Sequence, residues 1–221
     1  MSRILAISDI HGHTDGVRLL LEAARYEPGV DELFLLGDYI DYDPSTWSAL
    51  DDIRQLTAGG ARAIAGNMET WLCSTPNERP SVQDAGPALA SWLDFAGALP
   101  YYQLHTSFLF VHAGLRPGLK LEDQLPADLT GIREPFLLTR NPYPLPVIFG
   151  HTPTRRMGAA PGEIWVGPGI IGIDTGAKHG LRLSLVNLTN QTVYSCSTDP
   201  DNLYGDMRFT AWVSHPYALR K

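Results

Sequence analysis

Residues 3–13, RILAISDIHGH, decide the fold of this chain. The apolar run Ile4–Ile7 has strand length and no polar alternation, as in a strand covered on both faces, and it ends on Asp9. Such a strand delivers its last residues to a site at its carboxyl end. A helix should follow, because Val17, Leu20, Leu21 and Ala24 recur at helical spacing, with Thr14 or Asp15 as its N-cap. The cycle then repeats. ELFLLGD (32–38) reads as a second buried strand, SALDDIRQLTAGG (48–60) as a helix apolar at Leu50, Ile53 and Leu56 that stops at Gly59-Gly60, and ARAIAGN (61–67) as a third strand. Strand and helix in alternation mean right-handed crossovers and a parallel sheet with helices packed on it, an α/β protein. Asp9, Asp38 and Asn67 fall just past the ends of successive strands, where open α/β sheets bind ligands.

Beyond this unit, a polar stretch (74–86) leads into an apolar helix containing Leu89, Trp92, Leu93 and Phe95. YYQLH (101–105) and SFLFVHAG (107–114) read as a strand pair that delivers His112. Residues 116–146, proline-rich and without a clean period, read as an excursion over the site rather than a second domain. VIFGHTP (147–153), GIIGIDTGA (169–177) and RLSLVNLTNQTVYS (182–195) return to strand character, the last with a turn near Thr189-Asn190, and residues 198–221 show no period. The expectation is one domain over all 221 residues.

Hydrophobic residues at 44% and charged residues at 19% are ordinary globular composition, without the signature of disorder. A net charge of −7 argues against general nucleic-acid binding or an anionic membrane surface, although bound cations would still make a site locally positive. Cys73 and Cys196 show no metal-binding spacing and fit two thiols in a reducing cytoplasm. No apolar run is long enough to span a membrane.

Six short pieces set oxygen or nitrogen ligands beside glycine or a strand end: SDIHGH (8–13), LLGDYID (35–41), AGNMET (65–70), VHAG (111–114), FGHTP (149–153) and GIDTGA (172–177). Taken alone, Asp9 or Asp38 reads as a helix cap, and His112 or His151 as a satisfied core histidine. Taken together they read as a dinuclear metal site, since carboxylates, imidazoles and one amide carbonyl suit hard or borderline divalent ions.

The order and wording of these pieces resemble the calcineurin-like metallophosphoesterases, and within them the bacterial phosphoprotein phosphatase branch, over roughly residues 3–190. The resemblance implies two mixed β-sheets packed face to face with helices outside, in four layers. It implies a first ion held by Asp9, His11 and a bridging Asp38, and a second held by Asp38, Asn67, His112 and His151. Two divalent ions follow, Mn²⁺ foremost, with Fe, Zn, Co or Mg as other candidates. A water acidified to hydroxide between them would attack phosphorus in line. Glu69 would support the Asn67 loop, Asp174 would be structural or stand behind the ligands, and His179 would be structural. His13 is either near the chemistry or an exposed start of a helix, His105 belongs on a strand surface, and Trp47, Trp71 and Trp92 belong in the core.

Two departures from the family pattern lie inside the motifs. Met68 stands where the family has the histidine that protonates the leaving oxygen, oriented by an aspartate at the position of Asp41, and a thioether has no proton to donate. Tyr42-Asp43 stands where the family has Arg-Gly, which leaves Arg133 as the preferred phosphate clamp and Arg116 as another candidate. The expected activity is a serine/threonine protein phosphatase-like hydrolysis of phosphomonoesters, on a phosphorylated protein or a small phosphoester or nucleotide. The alternatives are hydrolysis of dinucleoside polyphosphates such as diadenosine tetraphosphate, or a catalytically weakened protein that binds metal and a phospho-ligand.

Overall fold

The computed structural model describes residues 2–74, 87–141 and 143–212. The opening run forms β1 (Ile4–Ile7), followed by α1 (Thr14–Ala23), β2 (Glu32–Leu35), α2 (Ala49–Ala58), β3 (Arg62–Ala63), α3 (Asn67–Ser74) and α4 (Leu89–Gly97). β1, β2 and β3 are parallel, in the registers Ile4↔Glu32 and Phe34↔Arg62. The chain later returns to this sheet with β9 (Arg182–Asn187), β10 (Thr192–Ser197) and β11 (Arg208–Ala211), giving the order β11-β10-β9-β1-β2-β3 with β9 antiparallel to β1. A second sheet holds β4 (Tyr102–Leu104), β5 (Leu109–Val111), β6 (Val147–Phe149), β7 (Trp165–Gly167) and β8 (Ile170–Gly172) in the order β4-β5-β6-β8-β7. Its three central strands are parallel and its outer pairs antiparallel, so both sheets are mixed.

Alternation along the strands sorts side chains into three apolar layers. Leu5, Ile7, Leu33, Leu35, Leu183 and Leu185 face the helices, against Val17, Leu20, Leu50, Ile53 and Trp92. The opposite face of the same strands presents Ala6, Phe34 and Val186 to Phe110, Ile148 and Ile171 of the second sheet, where the Phe34 and Phe110 rings stack at 3.8 Å. The outer face of the second sheet, Leu109, Val111, Val147 and Phe149, is covered by Leu129, Ile132 and Phe136. Those three come from the stretch after β5, including α5 (Pro126–Gly131), so the excursion of residues 116–146 is the fourth layer. Each such buried side chain contributes about 1.5–3 kcal/mol relative to exposure.

The structure departs from the sequence-based expectation in two places within the first unit. α1 begins at Thr14 with His13 in the N-cap position and no side-chain cap, so neither Thr14 nor Asp15 caps it. The third strand is only two residues long. Ile64 still donates to the Leu35 carbonyl, but the Ala65 N–H turns to the Pro100 carbonyl and the Gly66 N–H to Glu69, which lifts Asn67 out of the sheet. The polar stretch before α4 lies, beyond Ser74, outside the described residues, as do the last nine residues of the unplaced C-terminal stretch. The rest of that stretch includes β11, an exposed edge strand against β10. Cys73 on α3 and Cys196 inside β10 form no disulfide, and no helix among the described residues is long and apolar enough to cross a membrane.

Asp31 ties the starts of β1 and β2 together. It accepts from Arg3 Nε at 2.9 Å, Arg3 Nη2 at 2.5 Å and the Glu27 N–H at 3.0 Å, and the Arg3 hydrogen bond holds its carboxyl below the usual range. Asp31→Asn is expected to cost about 2–3 kcal/mol in urea unfolding at pH 7. Because the folded pKa is depressed, this stabilisation is present above the ordinary carboxylate pKa of about 4 and is lost as pH falls through the folded value. The gap between wild type and variant therefore closes in acid, and a gap independent of pH would rule out the ion pair as its source.

Candidate dinuclear metal centre

Each of the six sequence pieces leaves the carboxyl end of a parallel strand. Asp9, Asp38 and Asn67 follow β1, β2 and β3, while His112, His151 and Asp174 follow β5, β6 and β8. Because the two sheets stack face to face, their carboxyl edges open on one cleft of about 210 Å³. Asp9, His11, Asp38 and His151 all adopt positive φ, between 46° and 62°, a conformation that non-glycine residues rarely take. Among the described residues eight non-glycine positions have positive φ, and half of them are ligand candidates, the pattern of a backbone bent to aim side chains. The bend after β2 also needs Gly37 (φ 84°) and Gly66, since a Cβ on either would strike the backbone of the other's turn.

The donors fall into two groups, Asp9/His11/Asp38 and Asp38/His112/His151, each with its ligand atoms within 4.8 Å of one another. Asp38 belongs to both. Its Oδ2 lies 3.8 Å from His11 Nε2 and its Oδ1 3.4 Å from His112 Nε2, one oxygen toward each group. Asn67 Oδ1 lies 3.2 Å from His112 Nε2 and so joins the second group. His112 Nδ1 is 2.7 Å from the Leu36 carbonyl and His11 Nδ1 is 3.1 Å from that of Ile40. Each carbonyl accepts a hydrogen bond from Nδ1–H, which leaves Nε2 of each ring turned toward Asp38.

Two further features fit divalent cations. His151 Nε2 is buried without a hydrogen-bond partner. Burial, followed by the neighbouring Asp174, pushes the Asp9 carboxyl well above its usual range, and burial, followed by Glu69, does the same for Asp38. Carboxylates crowded together out of water are costly unless a cation joins them. Burial lowers His11 to about 4 and His151 to about 3, so both imidazoles are neutral ligands at physiological pH.

Glu69 stays clear of the cleft. Fully buried, its carboxylate accepts from the Asp38, Gly66 and Tyr39 N–H groups at 2.8–2.9 Å and so clamps the turns after β2 and β3 to each other. Asp174 lines the cleft while its Oδ1 accepts from the Gly176 N–H. His13 sits 3.1 Å from the Tyr204 hydroxyl, half-buried and away from the cleft lining, and His105 packs on Phe108 with Nδ1 accepting from Ser107. Trp47 and Trp92 are core, whereas Trp71 is partly exposed, edge-on to Tyr42.

The two arginine candidates separate. Arg133 lines the cleft. Arg116 does not: its guanidinium forks onto both carboxylate oxygens of Asp128, with Nε at 2.6 Å, so its assignment as a clamp is withdrawn. Sequence reasoning missed Arg156 and Lys178, which also line the cleft. Both directly follow a motif, in GHTPTRR and DTGAK, and that adjacency was the available signal. Asp41 accepts from Lys178 Nζ at 2.8 Å and from the Tyr42 N–H at 2.7 Å, while its Oδ2 lies 3.8 Å from His11 Nδ1. Burial pushes the Asp41 carboxyl up, but the Lys178 and Tyr42 hydrogen bonds outweigh it and hold the group below its usual range.

Two stacked mixed sheets thus bring the carboxyl ends of their parallel strands to one set of candidate metal ligands that shares Asp38. The chain belongs to the calcineurin-like phosphoesterase family, whose model matches residues 2–169. It is 32% identical over 132 residues to a symmetrical bis(5'-nucleosyl)-tetraphosphatase of Glaesserella parasuis, covering 54% of this chain and 47% of the relative. This chain thus spans about half the length of the curated relatives it matches. Among solved structures, one assigned only provisionally as a diadenosine tetraphosphatase superposes with a TM-score of 0.71 at 22% identity, covering 89% of this chain and 93% of the other. A protein serine/threonine phosphatase from Saccharomyces cerevisiae superposes at 0.54 with 12% identity, covering 97% and 81%. At these identities the two superpositions speak for the fold alone.

Proposed function

We propose that this protein hydrolyses phosphoanhydride bonds in dinucleoside polyphosphates, using two divalent ions, Mn²⁺ foremost. The observation that carries this reading is Met68. Met68 borders the cleft next to Asn67, its side chain buried in the helix-side core, at the position where the family resemblance places the acid that protonates the leaving oxygen. Without that proton an alkoxide leaves slowly, a loss of roughly 10²–10⁴-fold, whereas a phosphate leaving group needs little help. Curated relatives that match include symmetrical bis(5'-nucleosyl)-tetraphosphatases, which supports the same class of bond.

Ions bound to the two donor groups would supply Lewis acidity and lower the pKa of a water at the cleft. Asp38 would hold the two groups in register through its two oxygens, and Asn67 would add a neutral oxygen without adding charge. The imidazoles of His11 and His112 are oriented through Nδ1 by backbone carbonyls, and His151 Nε2 is buried without a partner, so each would have Nε2 to offer an ion. Arg133 lines the cleft and would take phosphate oxygens with its planar fork.

Purified protein with Mn²⁺ should turn over a dinucleoside tetraphosphate faster than a phosphoserine peptide, with an aryl phosphate between them. A phosphopeptide hydrolysed fastest would instead establish the protein-phosphatase reading. Arg133→Ala should raise the KM for phosphate substrates about tenfold or more with unchanged ion content, because the residue is assigned to substrate oxygens. Loss of ions with unchanged KM would refute that assignment.

A further inference from the structure

The geometry points to Lys178 as the group that meets the departing phosphate, with Asp41 as its positioning residue, in place of the histidine that position 68 lacks. This deepens the anhydride reading and rests on it. Lys178 lies in a short 3₁₀ turn, Ala177–His179, that follows Asp174 after Thr175 and Gly176. Its ammonium donates to Asp41 Oδ1 at 2.8 Å and lies 5.4 Å from the Tyr42 ring centroid, while the side chain, 37% exposed, lines the cleft. One of its three N–H donors is used by Asp41. The others are available to an anion.

Asp41 is itself held firmly. Its N–H donates to Thr46 Oγ1 at 2.8 Å, its carbonyl accepts from Trp47 Nε1 at 2.8 Å, and Trp47 is fully buried. The carboxylate that would otherwise orient an imidazole therefore presents an ammonium from a rigid platform. Lys178 belongs to the electrostatic neighbourhood of His11 and Asp38, whereas Arg133 and Arg156 belong to that of His151. Lys178, Arg133 and Arg156 all line the cleft, so three cations border the space in which a chain of phosphates would lie.

The chemistry of the leaving group decides what this end must supply. In anhydride hydrolysis a P–O bond forms to water and the bridging P–O bond breaks, with its electron pair staying on the departing phosphate. The water's proton passes to solvent, and the departing phosphate needs charge neutralisation rather than a proton. A fixed ammonium is a compact point charge suited to that task, and the thioether at position 68 has no proton to give.

The test compares wild type, Lys178→Ala and Lys178→Arg with Mn²⁺, on diadenosine tetraphosphate and on para-nitrophenyl phosphate. Inorganic pyrophosphate binding by calorimetry and ion content accompany it. Lys178→Ala should lower kcat/KM on the tetraphosphate by about 10²–10³-fold and on the aryl phosphate by less than about tenfold. It should weaken pyrophosphate binding with ion content unchanged, and Lys178→Arg should recover most of both losses. An equal fall on both substrates, or no recovery with arginine, would overturn the assignment. If wild type proves faster on phosphomonoesters, the anhydride reading fails by itself, and unchanged pyrophosphate binding in Lys178→Ala would then also overturn the role of Lys178.

Discussion

Asparagine in place of Asp38 will empty both cation positions at once. Wild type prepared with excess Mn²⁺ should hold two ions per chain by elemental analysis, and Asp38→Asn fewer than one, because the two carboxylate oxygens face His11 and His112 separately. Loss of a residue that merely supports a ligand costs 10–100-fold in affinity or activity, so loss of a ligand shared by two ions should lower hydrolysis by about 10³-fold or more. The fold should survive. Burial, and then Glu69, push the Asp38 carboxyl well above its usual range, so its charged form costs stability at neutral pH when no ion is bound. The ion-free variant should therefore melt no lower than ion-free wild type, while the rise in melting temperature on adding Mn²⁺ disappears. A variant that loses stability without ions would mean that Asp38 holds the fold together rather than the metal.

Met68→His carries the second large effect. It restores an imidazole beside Asn67 and should accelerate an alkyl phosphoester by roughly 10–10³-fold, but an anhydride or aryl phosphate far less. Two local facts temper the gain. Met68 is only 1% exposed and packs with Leu72 and Trp47 in the helix-side core, so burying an imidazole there should lower the melting temperature. Asp41 is already engaged by Lys178 at 2.8 Å, so the new histidine must compete for it. The gain should therefore be larger in the double variant Met68→His/Lys178→Val than in Met68→His alone, with a coupling of at least about 0.5 kcal/mol. Equal acceleration of all substrates would place residue 68 in substrate or metal placement. No acceleration at all would mean that another donor, with His179 in the cleft lining as the candidate, already supplies the proton.

Much of this site was legible before any coordinates. Asp9, Asp38, Asn67, His112 and His151 were singled out because each stands beside glycine or at a strand end in one of six pieces whose order resembles the calcineurin-like metallophosphoesterases, and burial leaves the apolar runs before them little choice but to be strands. Glu69 was read as a support because it lies two residues from Asn67 on the same short turn, and its three backbone hydrogen bonds give that reading its physical content. The length of β3 was not legible. Propensity continues through Ala65, and only the competing Pro100 carbonyl and the Glu69 carboxylate pull the backbone away.

Local pattern along the chain therefore determined the strands, the helices and the identity of most ligand candidates, because apolar periodicity and turn residues act over a few positions. Tertiary structure alone decided which ligand candidates come together, since that depends on two sheets stacked face to face with their carboxyl ends on one side and on Asp38 pointing one oxygen at His11 and the other at His112. It also decided the fate of the charged side chains. Arg116 and Lys178 both stand next to a motif, yet one is taken by Asp128 and turned from the cleft, while the other is held over it by Asp41, 137 positions away in sequence. A long flexible cation goes where a carboxylate fixes it, and the position of that carboxylate is a property of the packed fold.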